Sequence, residues 1–335
     1  MTVKITIIGL GQIGTSLGLA LAKHKDTVTT LGHDKSPETA RSAHKLGVVA
    51  SVSNNLSAAV KEAQVIVLAI PFDEMHETLK MIAPDLREDA VVMDTAPVKS
   101  VVAAWAKELL PAKTHYVGLS PALNPLCLED AGVQQGAARD DLFHKGVIAI
   151  SAPHETDEGA LKLAADLITL LGAQPLFADL AEMDGVMALV HLLPGLSAAA
   201  LAETTTGQPG WYDTQKFAGK PFSASTRPLA GDGPAALAEA ALQDRANTVR
   251  VLDEYIATLV SLRKDIAEEN KAGLSERLDY ARQGRTQWQS DRLNATWRSG
   301  GAARQDLPKY GDLLSRQLGG LGKLFGRGDK KPGAD

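Results

Sequence analysis

The stretch from Lys4 to Gly14, KITIIGLGQIG, limits what this chain can fold into more than any other. Its apolar run Ile5-Thr6-Ile7-Ile8 predicts a buried parallel strand. The run breaks into Gly9-Leu10-Gly11-Gln12-Ile13-Gly14, a G-x-G-x-x-G, and a helix is expected from about Thr15 to His24. Each glycine has a reason in that setting. Gly9 permits the tight turn, Gly11 lets backbone approach a pyrophosphate, and Gly14 lets the helix pack closely on the strand. The start of the helix then faces the phosphates with unpaired N–H groups and partial positive charge. Gln12 and Ile13 lie inside the turn and are expected to contact the same dinucleotide. Glycine-rich turns are common, so the signal rests on this one's place between a strand and a helix.

The next strand, Val28 to His33, ends at Asp34, about twenty residues beyond the last glycine, where the fingerprint puts an acidic residue. A carboxylate there accepts hydrogen bonds from the adenosine ribose and repels a 2′-phosphate, which predicts NAD over NADP. Lys35 and Ser36 follow directly and soften that choice. A second reading has Asp34 only capping the helix that opens near Ser36-Pro37-Glu38.

Strands and helices alternate through the N-terminal half, the pattern of a doubly wound parallel sheet. Helices are expected at Pro37–Leu46 and, opened by Asn54-Asn55-Leu56, to about Ala63. Strand 65–70, VIVLAI, leads into Pro71-Phe72-Asp73 at the carboxyl edge of the sheet, so Pro71 and Phe72 are expected against the adenosine or ribose. Helix 74–83 and strand 90–94 precede Thr95, expected at the cofactor, and a loop to Ser100. A strand at 116–120 enters a proline-rich loop. A strand at 146–150, helix 156–171 and a last strand at 174–177 complete this half.

Past Asp179 the pattern changes. A buried helix is expected from Ala181 to about Ala202, another from Pro234 to about Asn270, and a third from Leu274 to about Trp297. Apolar faces too wide for one small layer predict intertwined helices and a homodimer. The division is therefore a Rossmann region at 1–179, a helical dimerisation and substrate region at 180–297, and a disordered tail at 298–335.

Composition excludes several classes. The 335-residue chain is 44% hydrophobic, 22% charged and 4% aromatic, with net charge −5, which gives no reason to expect nucleic acid. The single cysteine, Cys127, sits in apolar surroundings, reads as a buried inert thiol, and suits a reducing cytoplasm. No signal peptide is evident, no apolar stretch approaches a membrane span, and no metal site is expected. A weak basic amphipathic pattern at 313–325 is broken by glycines, so membrane docking is not expected.

Several motifs now coincide in order: GLGQIG, VLAIP at 67–71, D-T-A-P-V-K at 94–99, V-G-L-S-P at 117–121, H-L-L-P at 191–194, and S-T-R at 225–227. Together they resemble the prephenate/arogenate dehydrogenase family of tyrosine biosynthesis, over about residues 1–270. The resemblance implies an N-terminal Rossmann domain and a C-terminal helical dimerisation domain. It also implies oxidative decarboxylation of prephenate or arogenate with NAD or NADP. The resemblance breaks at the catalytic groups. The family's D-x-x-S-V-K has Pro97 for its serine. Its G-x-H-P has Ser120 for the histidine that accepts the hydroxyl proton. Its S-H-L-P-H has Leu192 and Gly195 for both histidines. Arg227, which in the family holds a substrate carboxylate, is kept, and its planar fork suits that task.

Serine without its own base is a poor proton acceptor, and hydride loss from a carbon bearing a hydroxyl is helped by a base near neutral pH. His191 is the candidate replacement, against a second reading as a satisfied core histidine. Ser120 is the other catalytic candidate. Lys99 and Asn124 are candidates for substrate contact, against capping or packing for Lys99 and turn formation beside Pro125 for Asn124. The rival functions are a dehydrogenase or reductase of another small carboxylate, and a catalytically inert dinucleotide-binding paralogue.

Overall fold

The computed structural model describes residues 2–128, 135–231 and 233–294. The tail from residue 295, including the pattern at 313–325, lies outside the described residues. The chain divides into two compact units, Met1–Leu278 and Asp279–Asp335.

Eight strands make one sheet: β1 (Val3–Ile8), β2 (Val28–His33), β3 (Ser51–Val52), β4 (Val65–Leu68), β5 (Val91–Asp94), β6 (His115–Ala122), β7 (Val147–Ser151) and β8 (Gln174–Phe177), in the spatial order β3-β2-β1-β4-β5-β6-β7-β8. The central strands are short and wholly apolar until their last residue. VIVL of β4 and VVMD of β5 are buried throughout, because helices cover both faces. Each buried Val, Ile or Leu there contributes about 1.5–3 kcal/mol. Helices α1 (Gln12–Leu21), α2 (Pro37–Lys45), α3 (Leu56–Val60), α4 (Met75–Ile82), α5 (Lys99–Leu109) and α6 (Glu158–Leu170) make the crossovers. Ser36 caps α2 by accepting from the Thr39 N–H, and Asn55 caps α3 by accepting from the Ala58 N–H.

The strand order reverses between β1 and β4, and their carboxyl ends are in register: Ile8 lies beside Leu68 and His33, and Leu68 beside Asp94. That edge is where such sheets take a ligand. The sheet is not wholly parallel. β7 pairs antiparallel to β6, and β8 follows β7 in parallel. Among the described residues of the β6–β7 connection only two 3₁₀ turns, Pro125–Cys127 and Gln135–Ala137, occur. Cys127 is buried, as expected.

The helical half begins with α7 (Leu180–Met187), a π-helical turn at Ala188–Leu192, and α8 (Leu193–Thr206). Short α9 (Trp211–Thr214) and α10 (Lys220–Thr226) follow, then α11 (Pro234–Gln243), α12 (Arg245–Ala267) and α13 (Lys271–Asn294). The helix expected over 234–270 is thus two, broken at Asp244, whose backbone leaves the helical region. Ala188, Leu192, Ala236, Ala240 and Val251 join one hydrophobic core with Phe72, Met75, Val102 and Tyr116.

Two expectations about the first of these helices fail. It is not buried: Val186, Leu189, Val190 and Leu201 are all 40% or more exposed. Its apolar faces are too wide for one chain's core to cover. It is also long and apolar enough, by length and composition, to cross a membrane, at Leu180–Thr206. No Asp, Glu, Lys or Arg lies between Gly185 and Ala202.

Candidate active site

The glycine-rich turn is built by close approach. Gly9 has φ of +89°, and a Cβ there would lie 2.3 Å from the Ala69 carbonyl oxygen. A Cβ on Gly14 would lie 1.8 Å from the Gly9 carbonyl oxygen. Gly11 is the opposite case: a Cβ there would meet nothing within 4 Å. The open volume therefore sits over the middle glycine, where a pyrophosphate would pass. Helix α1 begins at once at Gln12, with no side-chain cap and no acidic residue in its first turn. Its leading N–H groups and positive dipole end suit an anion. The residues present fit the diphosphate of a dinucleotide. Beside them, the Gln12 amide donates to the Ala137 carbonyl at 3.4 Å and the Arg139 N–H donates to the Ser16 hydroxyl at 3.0 Å, so residues 137–139 rest on the start of α1. Ile13 is half-buried against the core.

Asp34 follows β2 and is half-buried. One carboxylate oxygen accepts from the Leu10 N–H at 2.8 Å, and the other accepts from the Ser36 N–H at 2.8 Å. The side chain thereby ties the end of β2 to the glycine-rich turn. Asp34 is not the cap of α2, since Ser36 has that role. Each carboxylate oxygen keeps a lone pair for a ribose hydroxyl.

At the end of β4, Pro71 is partly exposed, while Phe72 turns inward. Phe72 is 3% exposed and packs on Trp105 with ring centroids 5.5 Å apart. The expectation that Phe72 meets the adenosine is corrected, because its ring serves the core between α4 and α5. Thr95 lies at the end of β5, with its N–H donating to the Leu68 carbonyl at 3.1 Å, at the crevice edge.

Next to Thr95 is a buried ionic network. Asp94 accepts from the Lys99 ammonium at 2.8 Å, from the Ala96 N–H at 2.7 Å and from the Tyr116 hydroxyl at 2.7 Å. Burial lowers the Lys99 pKa, opposed by Asp94. Burial, then the Asp94 charge, raises the Tyr116 phenol well above its ordinary value. Helix α5 has no local side-chain cap; Asp184 of α7 supplies it, accepting from the Lys99 and Ser100 N–H groups. The expectation of a substrate contact at Lys99 is therefore corrected: its side chain is 0% exposed and committed to Asp94. Asn124 is corrected likewise. Its carbonyl accepts from the Leu126 N–H, its amide donates to the Asp141 carbonyl, and both bonds close the turn after β6.

Alternation along β6 puts Tyr116, Gly118 and Ser120 on one face. A Cβ at Gly118 would touch the Lys99 side chain at 2.7 Å and the Tyr116 hydroxyl at 3.0 Å, so Ser120 lies one step beyond that network. Its hydroxyl is buried and has no hydrogen-bond partner among the described residues. His191 is exposed and sits in the π turn, a helix irregularity that recurs at functional sites. Arg227 is half-buried at the start of a 3₁₀ turn, Arg227–Ala230, that packs on α8, the continuation of the His191 helix.

Neither the remote cap from Asp184 nor the Tyr116–Asp94 bond has a local sign in the sequence. Both join residues far apart in the chain, and their only trace is a second acidic residue, after Glu182, in a largely apolar helix and a tyrosine in an apolar strand.

The chain matches two family models: the prephenate dehydrogenase nucleotide-binding domain over residues 17–176 and the prephenate dehydrogenase dimerization domain over residues 179–280. It is 27% identical over 274 residues to a prephenate dehydrogenase of Bacillus subtilis, covering 81% of this chain and 72% of that one. It is 28% identical over 290 residues to a cyclohexadienyl dehydrogenase of Zymomonas mobilis, covering 86% and 96%. Among solved structures it is similar in fold to the prephenate dehydrogenase of A. aeolicus in complex with hydroxyphenyl propionate and NAD+. That match has a TM-score of 0.74 at 22% identity, covering 86% of this chain and 98% of that chain. The Synechocystis arogenate dehydrogenase matches with a TM-score of 0.65 at 24% identity, covering 85% and 99%.

Proposed function

The chain belongs to the prephenate dehydrogenase family, and from that premise we propose that it is an NAD-dependent enzyme that oxidises and decarboxylates prephenate or arogenate in tyrosine biosynthesis. The observation that carries this reading is the cradle at β1 and α1: a forced turn at Gly9, open space over Gly11, and an uncapped helix start. When bound, NAD takes up the hydride.

The chain's own residues have these parts. Gly9, Gly11, Gln12, Ile13 and Gly14 hold the diphosphate, Asp34 the ribose, and Pro71 and Thr95 the crevice walls. Arg227 holds a substrate carboxylate through its guanidinium fork. His191, one helix from Arg227's turn, is the proton acceptor. Ser120 positions the reacting hydroxyl from the sheet side, since its own hydroxyl has no hydrogen-bond partner among the described residues. Residues 1–179 form the nucleotide-binding region and 180–297 the dimerisation and substrate region. The exposed apolar face of Val186, Leu189, Val190 and Leu201 meets a second copy in a homodimer. The enzyme works in the cytoplasm.

A second reading is favoured by one observation: Ser120, Leu192 and Gly195 stand where the family resemblance expects histidines. In that reading the chain acts on another small carboxylate, or binds dinucleotide without turnover. The test is NADH formation, followed by absorbance, with prephenate and arogenate in turn. Turnover that falls when Arg227 is made Ala, through a KM raised by about 30-fold or more, supports the first reading. Tight NADH binding with no turnover of either acid replaces it with the second.

A further inference from the structure

Lys35 is the feature that the sequence leaves open, since a cation directly after the acidic residue of β2 is a ready partner for a 2′-phosphate. We infer that Glu74 is a selectivity residue for the adenosine ribose: by holding Lys35 in an ion pair, it withdraws that cation from a 2′-phosphorylated cofactor and keeps the site for NAD. The inference rests on the dinucleotide reading above.

The topology makes the pair possible. β2 and β4 lie on either side of β1. Lys35 follows the carboxyl end of β2, and Glu74 closes the 3₁₀ turn, Phe72–Glu74, after β4. The Lys35 ammonium donates to the Glu74 carboxylate. The pair thus spans the carboxyl edge of the sheet from one neighbour of β1 to the other, on the side where Asp34 is tied to the glycine-rich turn. Asp34 cannot swing aside to make room for a phosphate without releasing the Leu10 and Ser36 N–H groups.

Charge adds to geometry. The hydrogen bond to Glu74, then the nearby charges of Glu74, Asp34 and Asp73, raise the Lys35 pKa. The lysine is charged, yet three carboxylates share its field. A phosphate of nearly two negative charges would meet a rim that is net negative. Lys35 is 75% and Glu74 35% exposed in their side chains, so the pair is screened and its effect on affinity is modest.

Fluorescence titration with NADH and NADPH tests this on four proteins: wild type, Glu74→Gln, Lys35→Ala, and the double variant. Glu74→Gln is expected to tighten NADPH binding about two- to fivefold, the upper part of the span of a screened charge pair, with NADH affinity unchanged. Lys35→Ala alone is expected to leave NADPH binding as in wild type, because Glu74 already occupies the lysine. The double variant is expected to lose the gain. Weaker NADPH binding in Lys35→Ala overturns the inference, since the lysine would then serve the phosphate already. A gain that persists in the double variant also overturns it, by assigning the effect to removal of one carboxylate. So does a Glu74→Gln protein that binds NADH normally and NADPH no better. Wild type that binds neither nucleotide overturns both this inference and the dinucleotide reading beneath it.

Discussion

The two halves of this protein use apolar residues in opposite ways. In the sheet half, β4 and β5 are buried on both faces, and their ends are closed by Asp94, Lys99 and Tyr116, which satisfy one another. In the helical half, α8 buries only Gly195 and Ala198, and α12 only Thr248, Val251 and Asp265. Ile256, Leu259 and Val260 of α12 stand 45% or more exposed. A sheet with helices on both sides completes its core within one chain. A helix layer on one side of such a sheet leaves its outer face uncovered, and a second chain is the economical cover.

Four changes probe that contrast. The largest effect is expected at Gly14→Ala. The new methyl would lie 1.8 Å from the Gly9 carbonyl oxygen, so the turn must break or α1 must move. A loss of roughly 4 kcal/mol or more in stability is expected, as for severe backbone clashes, together with loss of NADH binding. Denaturant melts and fluorescence titration read both, and a protein of wild-type stability would show that the turn is less tightly built than described.

Lys99→Met comes next. It leaves Asp94 buried with its charge uncompensated, which costs about 3–5 kcal/mol. Adding Asp94→Asn should return part of that loss, because the orphan charge goes with it. If the single variant is as stable as wild type by urea unfolding, the pair does not hold the sheet half together.

Val190→Asp addresses the other half. Val190 is 60% exposed in the single chain, on the π turn. An aspartate there would have to be buried in the proposed dimer, so light scattering is expected to give the dimer mass for wild type and the monomer mass for the variant. NADH affinity should stay within about twofold, because that face lies in the helical half. A dimer that survives would place the interface elsewhere on the helices.

The smallest effect is expected from pH. Tyr116 has a raised pKa in the fold, so the folded chain keeps its proton where the unfolded chain loses it, above the ordinary value of 10.0. That contribution is fully present below pH 10 and is lost as pH rises beyond it. Lys99, lowered from 10.5 chiefly by burial, acts with the opposite sign at pH values below 10.5. Tyr116→Phe removes only the tyrosine share. It should be less stable than wild type at pH 7, by about 1 kcal/mol for the lost bond. It should also lose less stability between pH 9 and 11. Parallel pH–stability curves for the two proteins would refute the assignment.

Legibility in the sequence followed the range of the interaction. The strands at Val28–His33 and Gln174–Phe177 were readable to the residue, because β-prone residues ending at Asp34 mark the first and Gly172 just before it marks the second. The break at Asp244 was not, since alanine-rich helix signals run through it on both sides. Lys99 and Asn124 each carried two readings in the sequence, substrate contact or a structural role, and only the fold chose the structural one. Which way a side chain turns depends on partners at Asp94 and Asp141, and no spacing rule reports that. Phe72 erred for the same reason, since Trp105 lies beyond local reach.

What the sequence determined by itself is the glycine-rich turn, the acidic residue at the end of the second strand, and the change from alternating to all-helical pattern near Asp179. Each is set by residue type and local spacing, through backbone sterics and period. Tertiary structure alone decided that Asp34 is locked to Leu10, that Asp184 caps a helix eighty-five residues away in the chain, that Lys35 is held by Glu74, and which residues of the helical half stay uncovered. Those outcomes depend on where the sheet order brings distant residues, and the strength of a charge or the cost of an apolar face is fixed only once its neighbours and its access to water are in place.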